Sequence, residues 1–310
     1  MSLAESEQTQ GLRLPSPIQP LLTHPSGVEL YIKREDLIHP LYGGNKWRKL
    51  KYNLNRYREG GYNQLVTFGG PFSNHIAAVA LACQEAGIPC VGLIRGTYVD
   101  ADNPTLDTAK LAGMKLIHLR KEIYKEKEGA APVQEILSQW TRPLVIPEGG
   151  SNAEGFRGCA ELAEEIASQG YDFDYVVVPA GTGTTAAGII SKSTAQVLVI
   201  NVLKNPALEE VISGQLSGTV EWRLFSEYHF GGFAKVDQVL VDFINQFYNE
   251  YRINLDPIYN GKGVFALMDL LSKGHFPKGS KVLYVLTGGL QGIRAYNYRC
   301  KREALKINLE

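Results

Sequence analysis

KREDLIHPLYGGNKWRK, residues 33–49, decides how this chain is read. Gly43 and Gly44 free the backbone for a tight turn, and Asn45 has the side chain of an N-cap. Trp47, Leu50, Leu54 and Tyr57 then recur at helical spacing. Lys46 therefore falls in the first turn of a helix, where the positive end of the peptide dipoles disfavours an ammonium group. A lysine held neutral attacks carbonyl carbons and forms Schiff bases. Most lysines are simply solvated charges, so the weight of Lys46 rests on the chain that follows it.

Downstream, buried strands alternate with amphipathic helices. Strand-like runs are Val28–Ile32, Leu65–Phe68, Pro89–Ile94, Lys115–Leu119, Leu144–Ile146, Tyr175–Pro179, Val197–Val202 and Lys281–Leu286. Helical spacing covers residues 74–86, 104–111, 154–168, 184–191, 236–251 and 264–271. The charged run 121–128 reads as a solvated helix face or loop, and residues before Val28 read as a polar, Pro-rich lead-in. This alternation predicts an α/β fold of parallel-rich sheets covered by helices on both faces.

The 310 residues are 44% hydrophobic, enough for two lobes. Lys plus Arg number 32, as do Asp plus Glu, so no general attraction to nucleic acid or anionic membranes is expected. Cys83, Cys90, Cys159 and Cys300 form no CxxC pair, and the six histidines form no HExxH. Neither a metal site nor a disulfide framework is expected; Cys83 and Cys159 read as buried thiols of a reducing compartment. MSLAESEQTQ lacks the basic and apolar segments of a signal peptide, and no run has the length of a membrane span. A soluble, cytoplasmic enzyme of small molecules fits these features.

Three glycine-rich loops follow predicted strands. GGPFSNH, residues 69–75, opens a helix whose free N–H groups suit a carboxylate, although Ser73 or Asn74 capping that helix explains the same pattern. AGTGTTAAG, residues 180–188, brings backbone close to a ligand at Gly181 and Gly183, with Thr182, Thr184 and Thr185 placed around a phosphate. It lacks the GK[ST] of a Walker loop and the full GxGxxG of a dinucleotide site. Thr287, Gly288 and Gly289 end the last strand in the same manner. Open α/β sheets bind ligands at these carboxyl ends, so the three loops can converge on one site.

In this order, GGNK after KRED, GGPFSNH, GTGTT, DPIYNGKG and LTGG resemble the 1-aminocyclopropane-1-carboxylate deaminase and D-cysteine desulfhydrase family, from about Leu14 to Tyr298. The resemblance implies the tryptophan-synthase-β-like fold of pyridoxal-phosphate enzymes (fold type II). It divides the chain into a large cofactor-binding domain, residues 1–46 plus 150–310, and a small α/β domain, residues 47–149, and implies a homodimer. Lys46 is then the Schiff-base lysine for pyridoxal 5'-phosphate. Asn74 meets the ring hydroxyl, and Gly181, Thr182, Gly183, Thr184 and Thr185 hold the phosphate. Ser73, Asn74 and His75 receive the substrate carboxylate, with Ser73 also moving a proton, and Tyr259 lies beside the ring.

Two positions depart from the deaminase pattern. Asn260 stands where a glutamate follows the DPxY tyrosine, so Asn260 or Thr287 is left to meet the pyridine nitrogen. Phe233 stands in place of a second tyrosine, with Tyr228 as a nearby source of a hydroxyl. The implied reaction is β-elimination from a small amino acid such as D-cysteine, giving pyruvate, ammonia and sulfide. The alternative is opening of 1-aminocyclopropane-1-carboxylate to 2-oxobutanoate and ammonia. A phosphate-binding protein, or a cofactor-binding descendant without turnover, is the reading from another class.

Overall fold

Runs of β-branched and aliphatic residues leave each central strand no solvent face. The computed structural model describes residues 11–97, 102–218 and 220–308; the segment read for a leader peptide, residues 1–10, lies outside them. The chain begins β1 Ile18–Thr23, β2 Glu29–Arg34, α1 Asn45–Glu59, β3 Gln64–Gly69, α2 Asn74–Ala86 and β4 Cys90–Arg95. It continues α3 Pro104–Leu111, β5 Lys115–Leu119, α4 Lys121–Glu126, α5 Ala131–Leu137, β6 Pro143–Ile146 and α6 Ala153–Ser168. Next come β7 Tyr175–Ala180, α7 Thr184–Ile190, β8 Gln196–Asn201, α8 Leu208–Ser213 and β9 Trp222–Phe225. The last elements are α9 Gln238–Tyr251, α10 Asn260–Ser272, β10 Lys281–Leu286 and α11 Gln291–Arg299.

The strands form two sheets. One has six strands in the order β1-β2-β10-β7-β8-β9; the other has four, β5-β4-β3-β6. Every pairing is parallel except β1 with β2. Alternate residues serve opposite faces, as the two-residue period of a strand requires. Val177, Leu198, Ile200, Val282 and Tyr284 pack into one core, while Val176, Val178, Val197, Val199, Leu283 and Val285 pack into another. Leu65 and Ile94 against Val66, Phe68 and Leu93 repeat the division in the smaller sheet. Each such side chain contributes about 1.5–3 kcal/mol on burial.

The parallel-rich α/β architecture is as expected, with differences at the edges. The Pro-rich lead-in contains strand β1, antiparallel and shifted in register between Pro20 and Leu22. A proline is tolerated there because an edge strand has one set of N–H groups without ladder partners. Strand β9 and helices α5, α8 and α11 fall in no segment read as strand or helix, while α4 lies in the run read as a helix face or loop. Cys83, Cys90 and Cys159 are buried free thiols. Among the described residues no helix is long and apolar enough to cross a membrane.

Candidate active site

Strands β3, β7 and β10 end around one cavity of about 720 Å³, closed on its fourth side by the start of α1. The junction of β10 with α1 is stitched by backbone. Gly44 bridges Gly288, and the Asn45 N–H donates to the Thr287 carbonyl at 3.1 Å. Gly44 has φ +89°, and a Cβ on it would lie 2.2 Å from the Thr287 oxygen, so no other residue fits. Gly44 itself is the N-cap of α1. The expected capping by Asn45 is therefore corrected: Asn45 is the first helical residue. Its amide donates to Thr185 Oγ1 at 3.0 Å, and its oxygen accepts from Lys46 Nζ at 3.0 Å.

Lys46 and Lys49, one helical turn apart, both line the cavity. Burial, then repulsion from Lys49, lowers the Lys46 amine to about 7. Burial likewise lowers Lys49, whose Nζ donates to the Gly149 carbonyl at 3.2 Å. Among the described residues the ion pairs of α1 are made by Arg48, Lys51 and Arg56, not by these two amines. Sequence reasoning missed Lys49; its i, i+3 spacing from Lys46 was the available signal.

The loops differ in how much of their donor capacity is free. Ser73 caps α2 by accepting from the N–H groups of His75 and Ile76, and its own N–H donates to the Gly70 carbonyl at 3.1 Å. Capping takes the N–H of His75 and the turn takes that of Ser73, two of the three N–H groups expected to receive a carboxylate. The Asn74 side-chain oxygen accepts from Gln291, although Asn74 still lines the cavity. In contrast, no side chain caps α7, whose N-cap Gly183 is left-handed at φ +87°. Gly181 lets Tyr259 approach; a Cβ there would sit 2.9 Å from the tyrosine ring.

His75 lines the cavity with its Nε2 2.8 Å from Thr67 Oγ1. The Thr67 hydroxyl donates to the Ile146 carbonyl at 2.8 Å, so it accepts from Nε2–H, and Nδ1 is the bare nitrogen. That buried Nδ1 has no partner. Burial, with help from Lys46 and Lys49, lowers this imidazole to about 3 and keeps it neutral. Burial, followed by Asp256 and Glu148, raises the Tyr259 phenol above its ordinary value.

Of the residues singled out in the sequence, Lys46, Ser73, Asn74, His75, Gly181, Thr182, Gly183, Thr185, Tyr259 and Thr287 line the cavity. Thr184 and Asn260 do not. The Thr184 hydroxyl is bonded to Ser151 behind the loop. Asn260 is fully buried; its amide donates to Asp256 at 2.7 Å and to the Gly288 carbonyl at 2.8 Å. Its oxygen accepts from the Thr287 N–H at 3.1 Å and hydroxyl at 3.3 Å. Thr287, not Asn260, therefore faces the cavity from this side. Phe233 lines the mouth, but Tyr228 turns into the core and donates to Asp269 at 2.6 Å. The expected hydroxyl from Tyr228 is thus absent; Tyr296, unnoticed in the sequence, lines the cavity instead.

Comparison with known proteins places this arrangement. The sequence pattern described as pyridoxal-phosphate dependent enzyme matches residues 10–288. A putative 1-aminocyclopropane-1-carboxylate deaminase of Pyrococcus abyssi is 31% identical, over 91% of either chain. A D-cysteine desulfhydrase of Salmonella schwarzengrund is 29% identical, over 91% of this chain and 94% of its own. The crystal structure of an ACC deaminase homologue superposes with a TM-score of 0.78 at 30% identity, covering 91% of each chain.

Proposed function

Because the chain belongs to the pyridoxal-phosphate-dependent enzymes, in the 1-aminocyclopropane-1-carboxylate deaminase and D-cysteine desulfhydrase family, we propose that it releases ammonia from a small α-amino acid by expelling a β-substituent, as from D-cysteine. The observation that carries this reading is the Lys46 amine, lowered to about 7 and facing a cavity that contains a second amine and the uncapped start of α7. Two cavity amines without carboxylate partners, among the described residues, suit an aldehyde that also bears a phosphate.

In this reading Lys46 holds the cofactor covalently. The Gly181–Gly183 loop with Thr185 and Lys49 holds its phosphate, Thr184 supporting from behind through its backbone. Asn74 meets the ring hydroxyl, Tyr259 packs beside the ring, and Thr287 meets the ring nitrogen, with Asn260 acting only through Thr287. Ser73 and His75 border the substrate. Pyridoxal phosphate, when bound, supplies an aldehyde that condenses with amines and a ring that draws electrons from the α-carbon. Lys46, released when the substrate amine takes its place and about half neutral near pH 7, would take the proton from that carbon. Tyr259, held protonated by its surroundings, hands a proton to the departing group. For cysteine the balance is cysteine plus water to pyruvate, ammonia and hydrogen sulfide.

Thr287 donates to Asn260, which is itself held by Asp256, so the partner offered to the ring nitrogen is neutral. A neutral partner strengthens the electron sink less than a carboxylate does. That favours a substrate with a removable α-hydrogen. The second reading is opening of 1-aminocyclopropane-1-carboxylate with water to 2-oxobutanoate and ammonia, and deaminase is the commoner name among the relatives compared. Steady-state assays of D-cysteine, L-cysteine and 1-aminocyclopropane-1-carboxylate on the holoenzyme separate the two. The proposal expects pyruvate and sulfide from D-cysteine; 2-oxobutanoate as the sole keto acid formed would reverse the preference.

A further inference from the structure

Five side chains of ordinarily charged type, besides His75, line the cavity: Lys46, Lys49, Arg95, Glu148 and Arg299. The single acid, Glu148, is already paired with Lys127 at 2.7 Å. The two lysines sit at the inner end, on α1. Both arginines lie against the 70–72 turn. A Cβ on Gly70 would meet the Arg95 guanidinium at 3.3 Å, and the Arg299 guanidinium lies 5.1 Å from the centre of the Phe72 ring. Among the described residues neither guanidinium makes an ion pair or a hydrogen bond; their neighbours are the rings of Tyr124 and Phe72. The turn they lie against leads directly into Ser73–His75, where capping has used part of the donor capacity.

A phosphate at Lys49 and the uncapped α7, together with one carboxylate at Ser73–His75, leaves both arginines without a negative partner. We propose that Arg95 and Arg299 form a second anion subsite, which selects amino acids whose side chain ends in a carboxylate, phosphate or sulfonate. This rests on the reading of the cavity as a pyridoxal-phosphate amino-acid site and adds the charge of the substrate's far end. The planar, five-donor guanidinium suits such oxyanions. With O-phosphoserine, the Cα–H and Cβ–O bonds break and phosphate leaves with the bonding pair. Water then converts the enamine to pyruvate and ammonia.

The test uses matched substrates that give the same keto acid. β-Chloroalanine has a neutral side chain and O-phosphoserine an anionic one; both enantiomers of each are assayed on the holoenzyme. Wild type is expected to favour O-phosphoserine in kcat/KM, with a preference that shrinks as salt is raised. R95M and R299M should each lower kcat/KM for O-phosphoserine about tenfold, mainly through KM, and leave β-chloroalanine within about twofold. Equal losses on both substrates would overturn the subsite, as would turnover of β-chloroalanine but of neither O-phosphoserine enantiomer. Failure on both substrates would count against the underlying reading of the reaction. The subsite is then judged by binding of aspartate and alanine, read from the absorbance of the bound cofactor. The arginine variants must weaken aspartate alone; equal weakening, or no wild-type preference for aspartate, contradicts the proposal.

Discussion

Lys46 owes its chemistry to burial and to one charged neighbour. Burial removes water from its amine, and Lys49 repels its charge, which together bring it to about 7. Apo-protein should therefore condense with pyridoxal phosphate at a rate that rises with pH and levels off just above 7; an ordinary lysine continues to gain reactivity toward 10.4. Stopped-flow absorbance across pH measures this. Replacing Lys49 by Met removes the repulsion, so the level should shift to higher pH, while cofactor affinity falls for want of a phosphate partner. A plateau unmoved by K49M would show that burial alone sets the amine. Lys46 was legible because a Gly-Gly turn and a helical period place it. Lys49 was not, because its own side chain resembles any solvated lysine until the cavity beside it is seen.

At the scale of elements, the site depends on helices and loops that approach more closely than side chains allow. A Cβ on Gly158 of α6 would lie 1.8 Å from the Arg48 carbonyl of α1, and one on Gly188 of α7 would lie 2.6 Å from Cys159 Cβ of α6. Gly158→Ala should therefore push α1 off α6 and cost about 3 kcal/mol or more in unfolding by denaturant. Gly87→Ala meets no atom within 4 Å but keeps φ +64°, so it serves as a control for backbone strain without a clash. An effect of G158A no larger than that of G87A would contradict the close packing. The strand and helix runs around these glycines could be read from period alone. The cap of α1 could not, because Asn45 looks like the better cap until the Gly44–Gly288 bridge dictates the backbone.

At the scale of the whole molecule, a buried ionic cluster ties the six-stranded sheet to the helix that carries Lys46. Arg48 donates to both oxygens of Glu35, at 2.9 and 2.8 Å, and to Glu165 of α6 at 2.9 Å. Lys33 of β2 reaches Glu165 at 2.6 Å. Arg48→Met leaves the fully buried Glu35 without its cation and should cost about 3–5 kcal/mol. Burial opposes the charge of Glu165, but Arg48 and Lys33 outweigh it and lower its pKa. Its contribution is present above the unfolded carboxylate range and fades as pH falls through the lower folded value. The stability gap between wild type and R48M should accordingly narrow in acid; a gap independent of pH would point to packing instead.

The KRED residues that build this cluster were visible in the sequence, but their partner Glu165 lies more than a hundred residues away. The pairing of β2 with β10 is more distant still, so the sheet order was not legible from local period. We propose that the chain divides near residues 46 and 149 into a small domain carrying the four-stranded sheet and a large one carrying the six-stranded sheet. We also propose that it assembles as a homodimer, for which light scattering should return twice the mass of one chain. The account stands most directly on where the cofactor attaches. Holoenzyme reduced with borohydride and digested should carry the pyridoxyl group on the peptide containing Lys46, and K46A should carry none. A tag on Lys49 or any other residue, or no tag at all at saturating pyridoxal phosphate, would contradict it.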